Sequence, residues 1–295
     1  MNNTVFTGSA VALVTPFKGN ETDYDNFEKL IEYHIAHKTD ALVICGTTGE
    51  ASTMPDDEHV EAIRFAVQVT KKRLPVIAGI GSNDTFHGIN LCKRAAQAGA
   101  DAFLNVTPYY NKANLSGLTE HYRKMCSCCD IPTILYNVPG RTGVNIPLKV
   151  YDNLKDVDTI VAVKEASGNF SYTMEVAARF GDRYDLYSGN DDLIVPILSI
   201  GGKGVISVLA NVMPDETHDI CELYFNGKTK ESADLQLKLL DLINALFIEV
   251  NPAPVKTALD LMGFEVGNLR LPLGELTPEN RAELERIMRK HNLLK

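Results

Sequence analysis

The chain has 295 residues, 45% hydrophobic and 23% charged, an ordinary globular composition with length enough for one large α/β domain and an appendage. Its formal net charge of −9 and pI of about 5.3 argue against nucleic acid and anionic membrane surfaces as partners, since both need a basic footprint. An anionic substrate must then be held by local positive groups.

In chain order, β-branched or aliphatic runs recur at 10–16, 41–45, 76–80, 102–106, 133–136, 160–163, 185–187 and 204–208. Between them lie segments with apolar residues at helical spacing, such as Phe27-Leu30-Ile31-His34-Ile35 and Val60-Ile63-Val67. Thr22-x-x-Asp25 is expected to cap the first helix, and Pro55-Asp56-Asp57-Glu58 opens the second. Eight strands alternating with helices predict a (β/α)₈ barrel over residues 1–227. A doubly wound open sheet is the competing architecture, but Val14-Thr15-Pro16-Phe17 shows no Gly-rich first turn. From 228 to 295 only helical patterns follow, at 230–249, 255–262 and 278–291, separated by Asn251-Pro252-Ala253-Pro254 and Leu271-Pro272-Leu273-Gly274. This predicts a C-terminal helical region without strands.

Barrel chemistry collects at the carboxyl ends of the strands. The second strand delivers Gly46-Thr47-Thr48-Gly49-Glu50, either a tight turn or a pocket of N–H and hydroxyl donors for a small carboxylate. The fourth ends in Tyr109 and Tyr110, as rim phenols or packing aromatics. In the fifth, alternation puts Ile134 and Tyr136 on one face, and Arg141 follows in a Gly-bounded loop, free for a bidentate carboxylate contact. The sixth ends in Lys164, expected on the face of Ile160 and Ala162. Most strand-end lysines reach water along their methylene stems. A buried one is driven toward the neutral amine, a nucleophile for carbonyls. Strands five and six are neighbours in a barrel, so Tyr136 and Lys164 are expected side by side, a proton relay next to a nucleophile. The seventh gives Ser188-Gly189-Asn190-Asp191 and the eighth Gly201-Gly202-Lys203-Gly204, both read as glycine-lined approaches with room for a ligand. Lys203, before its strand, and Lys256, on an appendage helix, are rival nucleophiles with poorer positions.

Six cysteines are scattered, and only Cys126, Cys128 and Cys129 cluster, at a spacing that fits neither a zinc ribbon nor a redox Cys-x-x-Cys. Structural thiols in a reducing compartment are expected. Of seven histidines, His34 and His37 lie one turn apart beside Glu32, but no strand ends in His-x-His, so no metal is expected. The amino-terminal stretch lacks a basic leader and no apolar run approaches the roughly 18 residues of a membrane span, so a cytoplasmic location is expected.

Three spaced motifs, Gly46-Thr47-Thr48-Gly49-Glu50 with Glu58 beyond it, Tyr136-Asn-Val-Pro-Gly-Arg141-Thr-Gly, and Val161-Ala-Val-Lys164-Glu-Ala-Ser, resemble the dihydrodipicolinate synthase / N-acetylneuraminate lyase family of class I, pyruvate-dependent aldolases. The resemblance extends to Asn251-Pro-Ala-Pro-Val-Lys and covers essentially the whole chain. It implies that Lys164 forms a Schiff base with pyruvate, with no other cofactor, and that Tyr136 shuttles protons through Thr47 to Tyr110. It further implies that Tyr110 reaches a neighbouring subunit's site, making the active unit a dimer and commonly a dimer of dimers. Thr47 and Thr48 would seat the pyruvate carboxylate, with Gly189 and the Ile206 backbone on the opposite wall. Arg141 suits an acceptor aldehyde with its own carboxylate, so the resemblance implies condensation with L-aspartate 4-semialdehyde on the route to diaminopimelate and lysine. A sialate lyase or 2-keto-3-deoxy-gluconate type of aldolase, or a non-catalytic carboxylate-binding homologue, are the alternatives. Family members inhibited by lysine bind it with residues matching Ala51, Ser52, Asp56, His59, Asn83, His87 and Tyr109. Here His87 stands where a glutamate is expected and Asp56 where a histidine is, which predicts weak or absent lysine feedback.

Overall fold

The computed structural model describes residues 4–294. The aliphatic runs form eight parallel strands, β1 Gly8–Ala12, β2 Ala41–Ile44, β3 Val76–Gly79, β4 Ala102–Val106, β5 Thr133–Asn137, β6 Ile160–Glu165, β7 Asp185–Ser188 and β8 Gly204–Ser207. Each pairs with the next, and β8 pairs with β1, closing a (β/α)₈ barrel. Around it lie α1 Tyr24–Ala36, α2 Asp56–Thr70, α3 Thr85–Ala98, α4 Leu115–Cys126, α5 Pro139–Thr142, α6 Leu148–Asn153, α7 Phe170–Phe180, α8 Ile194–Ser199 and α9 Pro214–Phe225. The tail adds α10 Thr229–Ala245, α11 Ala253–Leu261 and α12 Pro278–Lys290. The barrel interior is filled by Ala10, Val43, Ile77, Leu104, Ile134, Ala162, Tyr187 and Ile206, while a larger apolar layer separates strands from helices. At the amino end Phe6 stacks on Tyr187, with ring centroids 4.3 Å apart, and the Tyr187 hydroxyl donates to the Phe6 carbonyl at 2.6 Å.

Several sequence expectations change. Ile160 does not share a face with Lys164: the β5–β6 register shifts between Thr133 and Ile134, so Val161 and Ala162 both join the interior and Ile160 packs in the outer layer. One extra residue in a strand inverts the side-chain alternation on its far side. The cap of α1 is Asp23, whose carboxylate accepts the Asn26 N–H at 3.2 Å. Thr22 instead belongs to a small hairpin, Phe17–Lys18 with Glu21–Thr22, which sequence reading missed. Of the glycines at the start of β8, Gly202 and Gly204 leave no room for a ligand, whereas Gly201 faces open space. A Cβ on Gly204 would lie 1.8 Å from the Gly8 carbonyl oxygen and one on Gly202 2.5 Å from the Ile197 side chain, so both serve close packing at the barrel floor.

One buried and one partly buried ion pair fasten the tail to the barrel mouth. Lys256 Nζ lies 2.9 Å from Glu50 Oε1 and also donates to the carbonyls of Thr15 and Asn268. Arg270 makes a two-pronged contact with Glu58, and Phe17 lies against both cations. No described helix is long and apolar enough to cross a membrane.

At the opposite end, His218 of α9 bridges Asp40 at 2.8 Å and Glu222 at 2.5 Å. These carboxylates, Asp40 foremost, raise its pKa from the ordinary value to about 9. A histidine whose folded pKa is raised stabilises the fold fully below its unfolded pKa of about 6.5, and that contribution disappears as pH climbs through 9. His218→Asn is therefore expected to lose about 1–2 kcal/mol at pH 6, a charged hydrogen bond discounted for partial exposure, and almost nothing near pH 10. Melting temperatures of both proteins across that range check this; a pH-independent gap would refute it.

Candidate active site

The site is built on the Tyr136–Lys164 rung. The two residues are Cα partners across β5 and β6, and both side chains are buried. Lys164 Nζ lies 4.3 Å from the centre of the Tyr136 ring and makes no hydrogen bond to a described residue. Burial pulls the amine down to about 7; the Asp191 carboxylate opposes this and Arg141 adds to it. Burial likewise pushes the Tyr136 phenol up to about 12, against Arg141 and a hydrogen bond with Thr47. The arrangement is an amine shifted toward its neutral form beside a phenol that keeps its proton.

The turn after β2 supplies donors. It is entered and left by two residues in the left-handed region, Cys45 at φ +55° and Glu50 at φ +56°. The Glu50 carboxylate is gripped by Lys256 Nζ and by the Arg270 N–H, fixing the turn from below. Thr48 Oγ1 accepts from Asn251 Nδ2 at 3.0 Å, so the tail reaches the site as well. A cavity of about 70 Å³ is enclosed by Lys164, Tyr136, Thr47, Thr48, Arg141 and Gly189, with Asn251 on the tail side. Gly189 is required there: a Cβ would sit 2.6 Å from the Ala166 side chain and 3.0 Å from Lys164 Cε. An amine, a guanidinium and two hydroxyls suit a small keto acid meeting a second carboxylate.

Two of the sequence candidates stand apart from this cavity. Ile206 is buried in the barrel interior but lines neither cavity, and Tyr110 is 88% exposed at φ +73° and lines neither. A second cavity of about 340 Å³ shares Thr47, Tyr136 and Arg141 with the first and extends to Ala51, Ser52, Asp56, His59, His87 and Tyr109. Asn83 is not in its wall; its carbonyl accepts from Asn111. Asp56 is already engaged, 2.9 Å from His87 Nε2, while His59 donates Nε2–H to the Gly79 carbonyl, with burial lowering its pKa.

The rival lysines separate on geometry. Lys256 has three oxygen acceptors, which only an ammonium can fill, and Lys203 lies at the barrel floor, its backbone paired with Gly8 and Leu186. His34 is a core histidine held neutral by burial, bonded to Thr39, whereas His37 pairs with Asp215. Cys126 closes α4, and the Cys128 and Cys129 sulfurs lie 3.7 Å apart just beyond it. Sequence reading missed Asn251 as a wall residue and Asp191 as the carboxylate acting on Lys164. Asn251 stood in a recognised Asn-Pro-Ala-Pro run, but nothing in that run says that the tail folds back over the mouth.

Residues 5–291 match the profile of the Dihydrodipicolinate synthetase family. The chain is 54% identical over 285 residues to the 4-hydroxy-tetrahydrodipicolinate synthase of Caldicellulosiruptor saccharolyticus, covering 96% of each. Among solved structures, it superposes on the dihydrodipicolinate synthase from Aquifex aeolicus with a TM-score of 0.96 and 42% identity, covering 98% of this chain and 99% of that one. The chloride-inhibited dihydrodipicolinate synthase from Acinetobacter baumannii complexed with pyruvate gives a TM-score of 0.95 at 39% identity, covering 99% of this chain and 100% of that one.

Proposed function

The chain belongs to the Dihydrodipicolinate synthetase family, and from that premise we propose that it condenses pyruvate with L-aspartate 4-semialdehyde, yielding 4-hydroxy-tetrahydrodipicolinate. The observation that carries this reading is the buried amine of Lys164, held near neutrality against Tyr136 in a cavity rimmed by Arg141. The neutral amine attacks the pyruvate ketone, and loss of water leaves a protonated imine. That imine draws electrons from the methyl carbon, which gives up a proton and becomes an enamine. The enamine carbon attacks the aldehyde while Tyr136, relayed through Thr47, returns a proton to the new alkoxide. The amino group of the acceptor then adds to the imine carbon and expels Lys164, closing the ring. Thr47 and Thr48 seat the pyruvate carboxylate, Gly189 leaves space for the imine, and Arg141 receives the carboxylate of the second substrate. No cofactor besides the covalent imine is required, and the lyase works in the cytoplasm on the route to diaminopimelate and lysine.

Turnover with pyruvate and a panel of acceptors (aspartate semialdehyde, N-acetylmannosamine and glyceraldehyde) tests the assignment. Activity should be confined to the semialdehyde. Arg141→Ala should raise its KM by about 10²-fold, the loss of a charged, two-pronged contact, and leave pyruvate binding near wild type. Preference for a sugar aldehyde would overturn the acceptor. In the same assay L-lysine should inhibit weakly or not at all, because Asp56, the one carboxylate that the described residues place in the second cavity, is occupied by His87; sub-millimolar inhibition would refute this.

Tyr110 completes the site of a neighbouring copy in a dimer of dimers, a reading supported by its 88% exposure and by the exposed Phe86 and Leu115. Mixing Lys164→Ala with Tyr110→Phe protein, each nearly inactive alone, should restore activity by forming one intact site per mixed dimer. No recovery after subunit exchange would count against it.

A further inference from the structure

Behind the catalytic rung lies a polar cluster that the reaction does not use. Asn137 and Glu165 are Cα partners one step beyond Tyr136 and Lys164, and their side chains, 0% and 2% exposed, turn away from the barrel interior. Asn137 Nδ2 donates to Glu165 Oε2 at 2.9 Å and to Asn145 Oδ1 at 2.7 Å, while its Oδ1 accepts the Ile146 N–H at 3.0 Å. The other Glu165 oxygen accepts the Ser167 N–H at 2.7 Å. The Glu165 carboxyl is thus buried against an amide and a backbone N–H, and burial raises its pKa.

The cluster closes a neck. Residues 138–146 leave β5, form α5, turn through Gly143 at φ +72° and come back at Asn145 and Ile146, where Asn137 ties the two ends together. Tyr172 fixes the same point by donating to the Ile146 carbonyl at 2.5 Å. At the crown sits Arg141, whose guanidinium reaches the Asn251 carbonyl only at 3.4 Å. A contact that long does not hold a flexible side chain, so the place of the guanidinium is set from the neck. Glu165 is the residue after Lys164, so the neck and the nucleophile share one strand.

We infer that Asn137 and Glu165 are positioning residues for the second substrate, holding the loop of Arg141 in register with the strand of Lys164. This rests on the reading of Arg141 as the anchor of the acceptor carboxylate. Displacing a binding group by about an ångström is enough to cost orders of magnitude in rate, whereas pyruvate, held by the β2 turn, would not notice.

Three variants test this. In Glu165→Gln a single amide oxygen replaces two carboxylate oxygens, so either Ser167 or Asn137 loses its acceptor. The KM for the semialdehyde is expected to rise about tenfold, with KM for pyruvate changed less than about twofold. Asn145→Ala removes only the exposed loop-side partner, leaves the buried pair intact and should show the same split at about threefold. In the double variant Asn137→Asp, Glu165→Gln the donor and acceptor exchange sides. The carboxylate introduced on β5 accepts from the amide introduced on β6 and from the Ile146 N–H, and the exposed Asn145 turns its own amide round. This double variant should recover most of the loss. Amide hydrogen exchange should quicken across residues 139–146 in both single variants and not across 160–164. A rise of both KM values together, a double variant no better than Glu165→Gln, or unchanged loop exchange would each overturn the inference. A wild-type chain that ignores the semialdehyde would instead overturn the functional reading, while the exchange data still decide the role of the neck.

Discussion

Lys164→Ala is expected to lose turnover by three or more orders of magnitude, on the order of 10³-fold at least, because the covalent route disappears with the amine. Pyruvate with borohydride should mass-label the wild-type chain at one lysine and leave the variant unlabelled. Lys164→Arg should fail equally, since a guanidinium does not deprotonate at working pH. The fold should survive, because Nζ makes no hydrogen bond to a described residue. The amine is depressed to about 7, so kcat/KM should fall about tenfold per unit on the acid side of that value as the neutral fraction shrinks. The sign is diagnostic: a lysine stabilised as a cation would put the limb above pH 10. Equal labelling of Lys164→Ala, or an acid limb displaced far above neutrality, would refute the assignment of the nucleophile.

The second large effect concerns stability. Lys256 and Glu50 are 2% and 1% exposed. Lys256→Met leaves the Glu50 carboxylate buried without its cation, which costs about 3–5 kcal/mol and should lower the melting temperature by roughly 6–10 °C for a chain of this size. The Glu50 carboxylate ends the turn that carries Thr47 and Thr48, so the KM for pyruvate should rise too. The double variant Lys256→Met, Glu50→Gln should recover much of the loss, since an uncharged pair carries no unpaired ion. A single variant that melts with wild type would show the pair to be dispensable.

The fold was legible because a parallel barrel writes itself as buried runs spaced by amphipathic helices, and each run needed only to be recognised, not measured. That Lys164, Tyr136, Thr47, Thr48, Arg141 and Gly189 face one cavity was legible for a related reason: each sits at the carboxyl end of a strand or in the loop after it. What failed was whatever depends on a single residue of register or on distant pairing. The extra residue that turns Ile160 outward leaves no trace in composition. Asp23 and Thr22 are both good caps, and only the hairpin that takes Thr22 decides between them. Lys256 read as a rival nucleophile because its partner lies 206 positions earlier, and no local pattern announces such a pair. Glycine-rich stretches are equally ambiguous: Gly189 makes room beside a side chain, whereas Gly204 lets two backbones touch.

The bond between Glu50 and Lys256 also has a direction in time. During synthesis the acidic partner emerges first, and at roughly 5–20 residues per second the basic one follows about 10–40 s later, given their separation of 206 positions. A nascent chain therefore holds all eight strands before it holds the ammonium that secures the turn of Thr47 and Thr48. The barrel wall can be complete while that corner is still loose, and the corner closes only when α11 arrives.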